Sequence, residues 1–180
     1  IIDFTWQSGR VSQVKDQRGN FWSYTYNSNG MLASRTSPGA SPDVRTYHYE
    51  MSGAGNQTLL TGISINGVRY STYGYNSSRK VISSALSAVE DFDAFVYDPT
   101  PVLVNYPDGA AVATAGSTTV TNQAGHAVTY HFANITGDRK VVRVERAGMP
   151  TCAATTALTR YDVNGYPMAT WDWNGTKTVH

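Results

Sequence analysis

Few side chains in this 180-residue sequence are spaced for chemistry. The densest acidic run is Glu90-Asp91-Phe92-Asp93, and three carboxylates this close could contribute oxygen ligands to a calcium ion. The run matches neither an EF-hand loop nor a calcium-binding nonapeptide, so it reads first as a solvated loop. His48 and His131 occupy matching positions, each between two aromatic residues. To ligate one metal they would have to meet across a sheet, and an outward-facing strand histidine is the default. Cys152, in Pro150-Thr151-Cys152-Ala153-Ala154, has no base or oxyanion donor marked near it and reads as a small, buried or half-buried residue. Gly53-Ala54-Gly55 lacks the strand-to-helix context of a phosphate loop and reads as a turn. No Gly-x-Ser-x-Gly, His-Glu-x-x-His or Walker sequence occurs. Asn56, Asn76, Asn134 and Asn174 fit the glycosylation sequon, as chance allows in a chain rich in Asn, Ser and Thr. The remaining chemistry is stacking: Trp and Tyr exposed on a flat sheet could hold sugars. The sequence therefore predicts no catalytic, cofactor-binding or metal-binding residues.

What the sequence does carry is a recurring strand. Phe4/Trp6, Trp22/Tyr24, Tyr24/Tyr26, Tyr47/Tyr49, Tyr73/Tyr75, Phe95/Tyr97, Tyr130/Phe132 and Trp171/Trp173 are all aromatic-x-aromatic. An aromatic content of 12% would give about two or three such pairs by chance. A spacing of two puts both rings on one face of a strand. The residues between them (Thr25, His48, Gly74, Val96, His131 and Asp172) are mostly small or polar, as the opposite face requires. Turn signals separate the pairs. Asp16-Gln17-Arg18-Gly19, Asn27-Ser28-Asn29-Gly30 and Asn122-Gln123-Ala124-Gly125 end in a glycine that reaches positive φ without a Cβ clash. Asn66-Gly67 and Asp108-Gly109 are hairpin dipeptides. The alternation predicts strands at 4–7, 10–15, 21–26, 31–36, 44–50, 68–75, 80–84, 94–98, 117–121, 127–132, 140–146, 158–161 and 167–173, with another beginning at 176–180. Leu86, Val89 and Phe92 could share a helical face within 84–94, but a long loop or irregular hairpin is the preferred reading there.

Charged residues make up 15% of the chain and the net charge is +1, which gives no electrostatic case for nucleic acid or an anionic membrane. No apolar run approaches the length of a spanning helix. A single cysteine excludes an internal disulfide framework. Both ends read as strands cut from a longer pattern, so the expected organisation is one repeat segment, 1–180, internal to a longer chain, with 85–115 its least repeat-like stretch.

Gly9-Arg10-Val11, Tyr26-Asn27-Ser28-Asn29-Gly30-Met31-Leu32 and above all Tyr161-Asp162-Val163-Asn164-Gly165 resemble the YD repeat of Rhs proteins. So do 116–125 leading into Tyr130-His131-Phe132, and 60–63 leading into 66–70. The resemblance covers nearly the whole chain. It makes Tyr24, Tyr26, Gly30, Tyr130, Phe132, Tyr161, Asp162, Gly165 and Trp171 structural repeat positions. There are departures: Tyr97-Asp98 runs into Pro99-Thr100-Pro101, and Arg79 stands where a turn glycine belongs, which predicts a longer or reshaped turn there. The resemblance implies an all-β fold, a long antiparallel twisted sheet of hairpins forming part of a hollow, cocoon-like shell. It implies a structural, non-enzymatic role: enclosing a C-terminal toxin or effector domain of the same secreted or cell-surface chain. The partners implied are the remaining repeats and that domain, with secretion-apparatus components and glycans as further candidates. No toxic domain and no Asp-Pro-rich segment of the kind that closes such shells is recognisable in the sequence. A cell-surface adhesive or carbohydrate-binding module is the alternative reading, and an enzyme with an unfamiliar site a remote one.

Overall fold

The computed structural model describes residues 1–53, 55–87, 90–150 and 152–180. The chain divides into two compact units, Ile1–Phe92 and Asp93–His180. Among the described residues the regular structure is strand throughout, apart from one short 3-10 turn at Asn56–Thr58.

The first unit contains β1 (Asp3–Gln7), β2 (Arg10–Lys15), β3 (Phe21–Tyr26), β4 (Leu32–Thr36), β5 (Val44–His48), β6 (Gly62–Ile65), β7 (Val68–Tyr75) and β8 (Val81–Leu86). They pair antiparallel in chain order, β1 through β8. β9 (Glu90–Asp98) begins at the end of this unit. In the second unit its residues from Asp93 onward pair with β12 (Ser117–Asn122), followed by β13 (Ala127–Ile135), β14 (Asp138–Arg146), β15 (Thr155–Tyr161), β16 (Pro167–Trp171) and β17 (Lys177–Val179), again antiparallel and in chain order. The 85–115 stretch supplies the exception. β10 (Leu103–Asn105) and β11 (Ala111–Ala113) form a separate two-stranded hairpin.

The strand reading holds, with additions. β6, β10 and β11 were not among the predicted strands, although the dipeptides Asn66-Gly67 and Asp108-Gly109 mark their hairpins. The acidic run is not a loop: Glu90 opens β9 and Asp93 pairs across to Asn122. Residues 84–86 end β8 and residues 90–94 belong to β9, so the described residues of the 84–94 stretch are strand or turn, not helix. Val89, one of the three residues of the helical alternative, lies outside the described residues, as do Ala54 and Thr151.

The two units bury different things. In the first, the residues most removed from solvent are small: Thr61, Ser64, Ser71 and Ala85. In the second, a hydrophobic cluster forms from Val104, Tyr106, Ala133, Val142, Ala169 and Trp171. Val104 and Tyr106 come from the β10–β11 hairpin segment and the other four from the sheet, so the hairpin lies over one sheet face and supplies the apolar cover that an isolated sheet lacks.

Candidate functional site

The repeated unit itself is the most developed feature of the molecule, and its two signature residues do separate jobs. The turn after β15 shows the first. Asp162 Oδ1 accepts the backbone N–H of Asn164 and of Tyr166, both at 2.9 Å. Asp162 N donates to Tyr166 O at 2.9 Å, and Gly165 N donates to Asp162 O at 3.1 Å with Gly165 at φ 82°. Asp16, Asn27, Asn76 and Asp172 repeat this arrangement with side-chain bonds of 2.8–3.0 Å. Asn122 keeps the bond to His126 N at 2.9 Å. The side chain supplies an acceptor to amides that a bare turn would leave to water. At Asp16, hydrogen bonds from the Asn20 side chain and backbone hold the carboxyl below its ordinary range.

The tyrosine before the turn does the second job. Tyr26 Oη donates to Val11 O at 2.9 Å, Tyr75 Oη to Leu60 O at 2.8 Å and Tyr161 Oη to Val141 O at 3.2 Å. Tyr49 Oη donates to Leu32 O at 3.0 Å in the same way. Each acceptor lies just past the paired residues of the preceding strand. Where the ladder stops, the phenol takes over a carbonyl that would otherwise lack a backbone donor. Desolvation raises the pKa of Tyr49, Tyr75 and Tyr161 above 10.0.

Arg79 corrects one expectation. Its turn is neither longer nor reshaped: Arg79 N donates to Asn76 O at 2.9 Å as a glycine would, with Arg79 held at φ 62°. Its guanidinium reaches Thr58 Oγ1 at 3.2 Å. Asn76 makes enough of the turn's bonds to impose the left-handed conformation on a side chain that disfavours it.

The rings do not stack in a continuous row. Phe4 and Trp22 both face Val14 of β2, Tyr47 faces Ile63, and Tyr97 and Tyr130 both face Thr118. Rings sit on alternate strands, with aliphatic, hydroxyl or guanidinium side chains between them. Trp171 departs further. It pairs with Leu158, whereas Tyr130 pairs with Val144 and that with Ala157, so Trp171 is on the face opposite Tyr130 and Phe132. There it is 4% exposed and stacks on Tyr106 of the hairpin segment, ring centroids 5.5 Å apart. Trp173 is covered by the Arg146 guanidinium, 3.8 Å from its ring centroid. Phe4 and Trp6 are 57% and 65% exposed on β1.

In the first unit the face opposite the ring pairs is polar. Thr25, Ser34, Thr46 and Ser64 stand opposite one another across four strands, with Thr25 and Ser34 hydroxyls 2.6 Å apart. His48 lies on this face, His131 lies opposite Tyr130 and Phe132, and neither is a free outward side chain. His48 Nε2 meets Ser64 Oγ at 2.8 Å. His131 is 9% exposed, with Nε2 2.6 Å from Glu145 Oε2, and Arg143 grips the other oxygen of that carboxylate. Arg143 stands directly across from His131. Thr61 and Arg69 hold Glu50, and the Arg69 hydrogen bond, the largest influence, lowers its pKa. His131, Glu145 and Arg143 hold one another, as do Glu50, Thr61 and Arg69, while His131 Nδ1 and Arg143 Nε stay buried without a hydrogen-bond partner. Cys152 is exposed, not buried, and forms a tight bridge with Met149. No group of three or more His, Cys, Asp or Glu residues arranged for a metal occurs among the described residues. Sequence reasoning missed Tyr106, Asp108 and the cover they form. The Asp108-Gly109 dipeptide marked the hairpin but gave no sign of where it docks.

Residues 6–42 match the RHS Repeat family model. The chain carries an Rhs repeat over this stretch. The match runs from Trp6 on β1 to the connection between β4 and β5. The tyrosine and Asx bonds within it, Tyr26 to Val11 and Asn27 to Asn29 and Met31, recur beyond it at Tyr75-Asn76 and Tyr161-Asp162. No curated protein matches the chain.

Proposed function

We propose that this Rhs-repeat chain is an internal, non-catalytic segment of a β-shell that encloses a C-terminal toxin or effector domain of the same longer chain. The observation that carries the reading is the economy of the repeat. At Tyr26-Asn27, Tyr75-Asn76 and Tyr161-Asp162 one tyrosine hydroxyl and one Asx side chain finish the hairpin's hydrogen bonding, so hairpins of this kind can be added in chain order without a new core for each. A wall needs polar groups fixed in place, and His131, Glu145, Arg143 and Glu50 are each engaged by a neighbouring side chain. The partners on this reading are the remaining repeats and the enclosed domain, with secretion-apparatus components engaged from outside. The protein works secreted or at the cell surface. No helix among the described residues is long and apolar enough to cross a membrane.

Exposed Phe4 and Trp6 favour a second reading, a carbohydrate-binding surface module. Trp171 and Trp173 do not serve it, being buried and cation-covered respectively. Limited proteolysis of the complete gene product, run with a glycan array, separates the two. The shell reading expects the C-terminal domain to resist protease until the sheet unfolds, with no glycan signal. Free cleavage of that domain together with glycan binding abolished by Trp6→Ala would replace it with the second reading.

A further inference from the structure

The β10–β11 hairpin leaves a concavity of about 490 Å³ beside the core it covers. Small-molecule sites run from about 300 to 1,000 Å³ and are lined mostly by apolar and aromatic side chains. Here Tyr106 and Val112 on the hairpin side meet Ile135, Tyr161 and Met168 on the sheet side, with Val163 beside them. Met168 and Val163 are 43% and 86% exposed, so the cleft leaves apolar side chains in water. Covering them is favourable for any ligand that brings hydrocarbon. The polar groups around the space are committed elsewhere. Tyr106 Oη donates to Thr159 O at 3.0 Å and Tyr161 Oη to Val141 O. Asp162 Oδ1 accepts two amides of its own turn. Arg160 Nη1 lies 3.1 Å from Asp108 Oδ2, and Lys177 Nζ lies 3.3 Å from the same oxygen. Two carboxylates thus balance two cations, and among the described residues no unopposed charge borders the cleft.

We propose that this cleft binds a neutral aromatic molecule of one or two rings. Neutrality follows from the balanced charges. An anion would meet Asp108 and Asp162, a cation would meet Arg160 and Lys177, and either would lose hydration without gaining a free partner. The preference for a ring follows from the lining. Tyr106 and Tyr161 offer ring surfaces for offset or edge-to-face contact, and the Met168 thioether packs well against aromatic edges. The volume, in the lower half of the small-molecule range, limits the ligand to one or two rings. This role goes beyond the enclosure reading and does not depend on it.

The test titrates the 180-residue chain with indole and, separately, with indole-3-acetate and tryptamine, which carry the same rings and opposite charges. Side-chain NMR shifts of Ile135 and Met168 report occupancy. Indole should saturate at a dissociation constant on the order of 1 mM, with shifts confined to the cleft. Both charged analogues should bind about tenfold more weakly. Cyclohexanol, neutral but not aromatic, should also bind more weakly than indole. Val112→Trp should fill the cleft and abolish the indole titration while the far-UV circular dichroism stays that of the parent. Binding of a charged analogue or of cyclohexanol as tight as that of indole, or shifts that do not saturate or fall outside the cleft, would overturn the assignment. The parent-chain comparison decides the matter even if the variant fails to fold.

Discussion

Truncating Trp171 to alanine tests the docking of the β10–β11 hairpin, the one element that departs from the repeat. The indole is 4% exposed, and Tyr106 stacks on it with an interplanar angle of 24°. Removing a buried Trp side chain costs about 3–5 kcal/mol through lost transfer energy and the cavity left behind. The ring stack contributes about 0.5–1.5 kcal/mol of that. The Lys177 ammonium, 5.3 Å from the ring centroid, adds little because it is partly exposed. The expected loss is therefore about 4 kcal/mol. With a urea m-value of about 2 kcal/mol/M, the midpoint should fall by about 2 M. Far-UV circular dichroism in urea measures it. A double-mutant cycle with Tyr106→Ala should return a coupling of about 1 kcal/mol, because the two rings touch. A loss below about 1 kcal/mol with no coupling would mean that the hairpin does not pack on the sheet, and the reasoning about the second unit's core would fail.

Asp162→Ala should cost about 1–2 kcal/mol in a urea melt, since it leaves the Asn164 and Tyr166 amides without their acceptor. Gly30→Val and Gly165→Val should each destabilise by more than about 1 kcal/mol, because both glycines are at positive φ and a Cβ would meet Arg10 at the first and Thr136 Oγ1 at the second. Arg79→Gly should run the other way, gaining up to about 1 kcal/mol in thermal unfolding by relieving its left-handed backbone. Burial pushes the Tyr106 phenol from 10.0 up to about 12, so its folded-state pKa lies above its unfolded one. Its contribution to stability is intact below pH 10 and drains away as pH rises towards about 12, so urea midpoints should fall across that window in the parent and less in Tyr106→Phe.

The sequence made the repeat legible because strand alternation and turn chemistry are both local. The Asx-x-x-Gly turns and the alternating pairs of β3, β7 and β13 depend on residues within a few positions of each other, and they hold. Two things were not legible. The first is which face a ring occupies relative to a ring several strands away. Bulges, such as those at His131/Phe132 and Arg160/Tyr161, shift the parity, and a shift of one residue reverses the face. Trp171 therefore looks like Tyr130 in sequence and points the other way. The second is the docking of 103–113, whose apolar residues say that it is buried but not against what. Tyr106 reaches Thr159, 53 residues away, and no local pattern encodes that contact. The histidines illustrate a smaller gap: strand periodicity placed His131 opposite the rings, but only the fold supplies Glu145.

The central claim is that these hairpins form the wall of a closed shell around another part of the same chain. Electron cryo-microscopy of the complete gene product tests it most directly. The account predicts a hollow particle in which residues 1–180 lie in the wall, with their strands continued by further repeats and density for the C-terminal domain inside. An open sheet with the C-terminal domain outside it would contradict the claim.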